Sequence, residues 1–400
     1  LPNLSGIGIL TVTSGAVLSN STLATVATPL NFGDAEGLLI VDEGDMTVSG
    51  SMSGSGGLTK AGTRTLTLSG SNTFTGTMRV IEGQLRFTQS SALGATLGLI
   101  ELHGTGLSYT GVSDEVLSKS IALTDRGGTI ANANGDVILT VTSSIGGSGD
   151  VWFGGPVHLA GASNYTGDSH VSGTVTFSSE AALGQGGGVH LESGRLEPTF
   201  DWTTDRTVHS GHGTLWTGQN HVTLNGPLVG EETLKVSGPG TLTINDATQF
   251  LGSIEVEDGT LAIVGTIPFS QIGSSPDRIT SQPGGTITGE GVWDRGIGSK
   301  STLAPGIGIG TITALDIDLA IDSTIVLEIG SPTSYDQLRV RGEFGLGNWV
   351  NLTIDLQYDP ADWQDSFMIV DNDGMDTIGG SGARLFRFLG NDLVEGETFL

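Results

Sequence analysis

The sequence predicts an all-β fold, a parallel β-helix (β-solenoid) of roughly 16–20 coils. The first observation is a long repeat that occurs three times. The second is glycine: 65 of the 400 residues are Gly, far above the usual ~7%, and they separate short runs of other residues. The third is alternation, since apolar residues in those runs alternate with Thr, Ser or Asp, as in a half-buried strand. Helical periodicity is almost absent, and residues 113–123 are its best candidate.

The repeat is the strongest of these signals. Its three divergent copies span about residues 44–94, 135–184 and 220–265. Equivalent positions are 91 and then 85 residues apart, which fits poorly with the ~40–50-residue blades of a β-propeller. The matched positions, in the order of the copies, are Leu66, Val157 and Leu242; Leu68, Leu159 and Ile244; Phe74, Tyr165 and Phe250; Gly76, Gly167 and Gly252; Val80, Val171 and Val256.

A solenoid accounts for such recurrence because each coil pairs only with the coils above and below it. Coils of roughly 20–25 residues, stacked ~4.8 Å apart, make a rod on the order of 80–95 Å long. We assign residues 1–298 to a β-helix that contains the three repeats. Residues 299–400 are interpreted as a C-terminal solenoid continuation or cap that is truncated.

The aromatic position of the repeat predicts buried rings. Because Phe74, Tyr165 and Phe250 recur at the same place, we expect them to stack inside the solenoid or to cap its turn. Tryptophans can hold sugar rings where they are exposed, and the candidates are Trp202, Trp216, Trp349 and Trp363.

Residues 44–94 resemble the autotransporter-associated β-strand repeat. They share its Gly-Gly-Leu-x-Lys start and its Asn-x-Tyr/Phe-x-Gly turn, and residues 65–70 match its Gly-Thr-Leu-x-Leu-x-Gly centre from the Thr onward. Residues 303–312, 336–342 and 367–374 are similar to phrases that commonly follow such repeats, whereas residues 245–248 depart from the pattern. The resemblance covers about two thirds of the chain. It implies a β-solenoid that is secreted or displayed on the outer surface of a bacterium, and it implies little about activity.

Composition agrees with export. The chain has no cysteine, which excludes disulfides and thiol catalysis. No run reaches ~18 apolar residues, so we expect no membrane-spanning helix. We expect that a leader has been removed before Leu1, and that the natural polypeptide continues beyond residues 395–400. The net charge of −27 argues against nucleic acid and anionic lipid or glycan as partners.

Carboxylates are the candidates for carbohydrate cleavage. Asp316, Asp318 and Asp322 lie on an alternating segment and are expected to share one face, and glycoside hydrolysis needs two carboxylates in one groove. A solvated acidic face is the favoured interpretation. Lyases that act on acidic glycans need Lys or Arg to neutralise the substrate carboxylate before a proton is removed. The chain has only four lysines, and their scatter along the sequence disfavours a lyase: Lys60, Lys119, Lys235 and Lys300. With no Gly-x-Ser-x-Gly motif either, we expect no enzyme, no catalytic residue and no cofactor.

The histidines suggest a second chemistry. All seven fall between residues 103 and 221: His103, His158, His170, His190, His209, His212 and His221. His158, His190 and His221 sit beside inward apolar residues and should point outward, where residues on successive coils could form a ladder that binds a transition metal. His209 and His212 form a close pair in a loop. Ordinary exposed or aromatic-packed histidines remain the favoured interpretation, so we assign no metal ligand.

A calcium loop is the remaining candidate. Residues 371–376, which begin at Asp371 and end at Asp376, supply oxygen ligands around a glycine turn. They lack the EF-hand spacing, and Asn-Asp and Asp-Gly pairs make turns without metal. Ca²⁺ binding is therefore kept as an alternative to a simple turn.

Our leading hypothesis is a secreted or cell-surface structural and adhesive rod. If its ends lack caps, coil can stack on coil of the next molecule and build extracellular filaments, so that the partner is the chain itself. The alternative is a monomeric passenger-type adhesin that binds a surface glycan or a host protein. A carbohydrate-active β-helix enzyme is the third hypothesis. The sequence leaves open the ligand, the handedness of the coil and the anchor.

Overall fold

The computed structural model describes residues 3–6, 8–13, 16–19, 23–95, 98–272, 275–276, 278–359, 365–373, 378–379, 386–389 and 391–393. The chain divides into two compact units, Leu1–Thr199 (unit 1) and Phe200–Leu400 (unit 2). Each unit is built from stacked, mainly parallel strands, and the described residues contain no α-helix. The predicted all-β solenoid is therefore confirmed.

The described residues of unit 1 form 25 strands and two short 3₁₀ turns, Ser90–Leu93 and Glu180–Leu183. The strands are β1 Asn3–Leu4, β2 Leu10–Thr11, β3 Ala16–Ser19, β4 Leu23–Val26, β5 Leu30–Asn31, β6 Gly37–Val41, β7 Asp45–Val48, β8 Met52–Ser53, β9 Leu58–Ala61, β10 Thr65–Leu68, β11 Met78–Val80, β12 Gln84–Phe87, β13 Ile100–Leu102, β14 Thr105–Tyr109, β15 Glu115–Leu117, β16 Ile121–Leu123, β17 Gly128–Asn132, β18 Leu139–Val141, β19 Ile145–Gly147, β20 Val151–Gly154, β21 Val157–Leu159, β22 Ser169–Val171, β23 Thr174–Phe177, β24 Val189–Leu191 and β25 Arg195–Pro198.

The strands of unit 1 stack in register. One face of the coil is the row β4-β7-β10-β12-β14-β17-β20-β22-β24, and the others include β3-β6-β9-β11-β13-β16-β19 and β15-β18-β21-β23-β25. Leu66, for example, lies between Met46 on the preceding coil and Leu85 on the next. Since the side-chain period of a strand is two, this register places apolar residues of every coil on the inner face.

Unit 2 contains the other 25 strands. They are β26 Trp202–Thr204, β27 Val208–Ser210, β28 Thr214–Trp216, β29 His221–Leu224, β30 Leu228–Gly230, β31 Leu234–Ser237, β32 Thr241–Ile244, β33 Gln249–Phe250, β34 Ile254–Val256, β35 Gly259–Ile267, β36 Gln271–Ile272, β37 Ser275–Pro276, β38 Arg278–Ser281, β39 Gly285–Ser299, β40 Thr302–Pro305, β41 Thr311–Leu319, β42 Thr324–Ser331, β43 Ser334–Tyr335, β44 Gln337–Val340, β45 Phe344–Leu346, β46 Val350–Leu356, β47 Val370–Asn372, β48 Ile378–Gly379, β49 Phe386–Phe388 and β50 Asn391–Leu393.

The coils of unit 2 widen along the chain. The row β26-β29-β32-β35-β39 is parallel and closely spaced, with Val222 opposite Leu242. Further on, Leu338 pairs with Val370, 32 residues later, and Val350 pairs with Phe386, 36 residues later. One turn of the solenoid therefore uses 32–36 residues there. Antiparallel pairs are formed by β36 with β37, β42 with β43 and β49 with β50.

The described strands make about 14 turns, fewer than the 16–20 expected. The expectation assumed coils of roughly 20–25 residues throughout. The wide coils at the end of unit 2 use more chain per turn, which accounts for the difference. The boundary that we placed after residue 298 stays a prediction.

The repeat positions build the core. All twelve apolar and aromatic side chains matched between the three copies are at most 2% exposed. Phe74, Tyr165 and Phe250 are among them, so the prediction of buried rings is confirmed. A fully buried Val, Leu or Phe side chain stabilises the fold by about 1.5–3 kcal/mol, and each coil contributes several.

The best candidate for a helix, residues 113–123, is not helical. This segment forms β15 and β16, which pair in parallel with β18 and β19 of the next coil. A short isolated helix is marginal in water. Ladder hydrogen bonds and burial of Leu117 and Ile121 therefore decide the local structure.

Candidate functional site

Three aromatic residues form a stacked ladder on the outer face of unit 1. Trp152 on β20, His170 on β22 and His190 on β24 occupy one position on three successive coils. The Trp152 and His170 ring centroids lie 4.6 Å apart, and those of His170 and His190 lie 4.4 Å apart, with interplanar angles of 13° and 19°. We call these three residues the histidine ladder.

Two carboxylates flank the histidine ladder. Glu192 Oε1 lies 2.8 Å from Nδ1 of His170, and Asp168 Oδ2 lies 3.0 Å from Nε2 of His190. Burial alone would raise the pKa of Asp168, but the Gly188 N–H, which donates to Oδ1 at 2.6 Å, and the His190 ring lower it below its usual value. Asp168 is therefore held as an anion beside the imidazoles.

The predicted ladder was assembled from the wrong histidines. His158 and His190 do point outward, as expected, but His158 lies on β21, in a different row, where Thr176 and Ser178 bond its ring nitrogens. Burial lowers the pKa of His158. The partner of His190 is His170, and the signal that could have found it is spacing. His170 and His190 are 20 residues apart, and their strands pair one coil apart.

The remaining histidines are dispersed. His221, on β29, is exposed, as expected of an outward residue. His209 lies within β27, whereas His212 follows in a turn with a positive φ of 64° and pairs with Glu232 at 2.7 Å. His103 has a buried Nε2 without a hydrogen-bond partner in the described structure. None of these residues joins the histidine ladder.

Two of the three candidate aspartates share a cavity in unit 2. Asp316 and Asp318 project from β41 into a cavity of about 310 Å³, which Arg278 and Glu343 also line. The prediction is wrong for Asp322, because β41 ends at Leu319 and Asp322 lies in the turn that follows, at a φ of 59°. Asp316 Oδ1 accepts a hydrogen bond from the Glu343 N–H at 2.8 Å, a structural role.

A larger groove in unit 2 was not foreseen. It has a volume of about 380 Å³, within the range of ligand sites. Its floor is part of a row of small residues, four of them on successive coils, and its wall includes the loop that carries Ile307. We call it the threonine groove. The row runs Thr203, Thr223, Thr243, Ala262, Thr288 and Ala304, of which the last four line the groove.

A buried carboxylate fixes the wall of the threonine groove. Asp336 is 1% exposed and accepts hydrogen bonds from the N–H groups of Gly310, at 2.8 Å, and Glu328, at 2.7 Å. Burial raises the pKa of Asp336 to about 6. Thr288 donates its hydroxyl to the Gly306 carbonyl and holds the other end of the same loop. The groove is thus preformed by the fold.

The lysines are structural or paired at the surface. Lys60 and Lys119 are 1% and 4% exposed, and their ammonium groups bond backbone carbonyls. Lys235 pairs with Glu257 at 3.3 Å, and Lys300 bonds Gln282 at 3.2 Å. The described lysines line neither cavity.

We predict that Lys60 titrates well below an ordinary lysine. Desolvation by burial lowers its pKa from 10.5 to about 8, even though Nζ donates to the carbonyls of Ala61, Gly62 and Glu82. The folded protein thus binds fewer protons than the unfolded chain between about pH 8 and 10.5, so the free energy of unfolding should rise with pH across that window. NMR titration of ¹³Cε-lysine checks this: Lys60→Met should remove the signal that titrates near pH 8, and Lys300→Met should leave that signal in place. Four signals that all titrate near 10.5 would contradict the prediction.

The tryptophan and calcium candidates are only partly described. Trp202 is buried, whereas Trp349 is 40% exposed and stacks under Arg387 at 5.4 Å. Asp371 faces Arg339 at 3.8 Å. Trp363 and residues 374–377 lie outside the described residues, so Ca²⁺ binding at the loop that ends at Asp376 stays untested.

Fold and surface together define a repeat-built β-solenoid with ligand-sized features on its outer faces. Two segments, residues 58–87 and 234–263, match the family model of the passenger-associated-transport-repeat. The first range covers β9–β12, and the second runs from β31 into β35; they lie within the first and third copies of the internal repeat.

One curated relative is an autotransporter. The chain is 31% identical over 242 residues to the adhesin BmaC autotransporter of Brucella suis biovar 1 (strain 1330). The match covers 58% of this chain and 6% of that adhesin, so the chain corresponds to a small part of its relative. No solved structure matches the chain.

A search of the described residues for membrane-crossing helices finds none of sufficient length and hydrophobicity.

Proposed function

We propose that this chain is a stretch of a bacterial surface passenger that acts as an adhesin and binds glycan through the threonine groove. The passenger-associated-transport repeats and the similarity to an autotransporter adhesin support the passenger role. The groove supports binding, because it is a preformed concavity on an otherwise repetitive surface.

The groove chemistry favours a neutral sugar. Thr241 and Thr243 offer hydroxyls that can both donate and accept hydrogen bonds, and the Thr288 hydroxyl, which donates to Gly306, can still accept one. Ala262 and Ile307 add apolar surface for the C–H face of a sugar ring, and the Ile307 side chain is 57% exposed. Glu328 and the net charge of −27 disfavour sialylated or uronic acid ligands.

Blocking the groove should abolish glycan binding. We expect Thr243→Arg to weaken binding about tenfold or more, because the long side chain fills the floor of the groove. Thr203→Arg is the matched control, since it lies in the same row two coils away and does not line the groove. The full chain and both variants would be screened on a printed array of neutral and acidic glycans, with calorimetry on the strongest hit.

Two outcomes would refute glycan binding by the groove. One is an array with no signal above background for the unmodified chain. The other is equal binding by the unmodified chain and by Thr243→Arg. A preference for acidic glycans would instead contradict the charge argument and point to a different surface.

The surface location has its own test. Antibodies raised against residues 1–400 should label intact bacteria that carry the natural gene. Labelling confined to permeabilised cells would contradict a surface passenger.

Binding is favoured over filament assembly and over catalysis. Similarity to an adhesin favours a binding surface over end-to-end assembly of solenoids. The curated relative is described as an adhesin, which favours a non-enzyme. Electron microscopy of the purified chain distinguishes binding by single molecules from filament assembly. We expect discrete particles, and fibres of uniform width would support the filament hypothesis instead.

A further inference from the structure

The histidine ladder and its carboxylates bring metal ligands together on two adjacent coils. Asp168, His170 and His190 each offer a ligand atom, and these atoms lie within 4.8 Å of one another. All three side chains are partly buried rather than free at the surface. Because His170 and His190 lie in register and their rings stack at 4.4 Å, their separation is set by the backbone of the sheet.

Hydrogen bonds from neighbouring groups orient the ligands. Glu192 accepts a hydrogen bond from Nδ1 of His170 at 2.8 Å, which selects the tautomer that presents Nε2 as a lone-pair donor. Gly188 donates to Oδ1 of Asp168 at 2.6 Å and leaves Oδ2 facing Nε2 of His190. Such carboxylate–histidine and amide–carboxylate contacts fix the orientation of the residues that bind the ion in metalloproteins.

Charge and rigidity add to this arrangement. Asp168 also donates its backbone N–H to Asp150 Oδ1 at 2.8 Å, so its position is held from both sides. Trp152 packs against the far face of His170 at 4.6 Å and restricts rotation of that ring. Two imidazoles, one carboxylate and an open fourth position form a donor set that suits Zn²⁺, Cu²⁺ or Ni²⁺ and not Ca²⁺.

We propose that Asp168, His170 and His190 bind one divalent transition-metal ion, with water in the remaining positions. The ion clips two neighbouring coils of unit 1 together, because Asp168 and His170 precede His190 by one turn of the solenoid. This site does not depend on the proposed adhesin function, since the threonine groove lies in unit 2.

Calorimetric titration of the chelator-treated full chain with Zn²⁺ tests the proposal. We expect one Zn²⁺ per chain at this site, and loss of that binding in His170→Phe and in His190→Phe. Phenylalanine keeps a ring in the stack and removes the ligand nitrogen, so circular dichroism should remain that of the unmodified chain. Glu192→Gln should weaken binding by on the order of 10–100-fold through its effect on His170.

His212→Ala is the matched control. His212 and Glu232 form an isolated histidine–carboxylate pair at 2.7 Å, so its loss should leave Zn²⁺ binding unchanged. Ca²⁺ should give no heat at the ladder, seen as identical Ca²⁺ titrations of the unmodified chain and His170→Phe.

A second readout remains informative if a phenylalanine variant fails to fold. Cu²⁺ bound at the ladder should quench the fluorescence of Trp152, and Trp152→Phe should lose that part of the quenching. Zn²⁺ binding that persists in both phenylalanine variants, or no Zn²⁺ binding by the unmodified chain, would overturn the proposal.

Discussion

Replacing Gly167 by alanine is expected to destabilise unit 1 by about 3 kcal/mol or more. A Cβ at this position would lie 2.4 Å from the backbone carbonyl carbon of Gly149 on the adjacent coil. Backbone cannot move aside as a flexible side chain can, so the coils must separate locally. The equivalent glycines of the other repeats are equally tight: a Cβ would lie 2.4 Å from Gly57 N at Gly76, and 2.0 Å from Glu232 O at Gly252.

Gly135→Ala is the control for this prediction. Gly135 also lies in unit 1, and a Cβ there would meet nothing within 4 Å. Thermal unfolding followed by circular dichroism should show a Tm about 6–12 °C lower for Gly167→Ala and almost no change for Gly135→Ala. Equal Tm values for the two variants would mean that the coils are not packed as described.

Replacing Arg295 by methionine is expected to destabilise unit 2 by about 3 kcal/mol or more. The Arg295 side chain is 1% exposed. Its guanidinium donates to the carbonyls of Gly252, Phe250 and Pro268, the last two at 2.6 and 2.8 Å. Methionine fills similar volume but leaves these carbonyls without that donor, and a buried unsatisfied acceptor costs about 1–3 kcal/mol.

Arg339→Met separates this effect from a general loss of charge. Arg339 is 54% exposed and pairs with Asp371 at 3.8 Å, and such surface pairs contribute about 0–1 kcal/mol. Urea unfolding should therefore shift strongly for Arg295→Met and little for Arg339→Met. A small shift for Arg295→Met would show that water or rearranged backbone satisfies the carbonyls.

The repeat made most of the fold predictable. Leu66 and Leu68 recur with their glycine and aromatic neighbours, and alternation specifies which side of each strand is buried. The number of residues per coil could not be predicted from the sequence in the same way. The wide coils between Leu338 and Phe386 carry no repeat, and nothing in local sequence specifies how far apart two paired segments lie.

The surface sites could be predicted only in part. Outward orientation of His158, His190 and His221 follows from alternation, but neighbours across coils depend on register, so the pairing of His170 with His190 was missed. The prediction that Asp322 shares a face with Asp316 and Asp318 is wrong for a local reason, because the strand ends before Asp322. The threonine groove depends on a loop held by Asp336, a contact between residues 26 positions apart.

The alignment of Thr223 with Thr243 on adjacent coils is the claim on which the groove depends, and disulfide trapping tests it directly. The chain has no cysteine, so an introduced pair is unambiguous. In-register parallel neighbours lie about 4.8 Å apart, within the Cα range for a disulfide, whereas a two-residue offset places them about 8 Å apart. Trypsin cleavage after Lys235, between the two positions, lets mass spectrometry detect the linked peptides.

Thr223→Cys with Thr243→Cys should cross-link under mild oxidation, and Thr223→Cys with Thr241→Cys should not. Cross-linking of the offset pair in place of the registered pair would contradict the solenoid register and, with it, the groove.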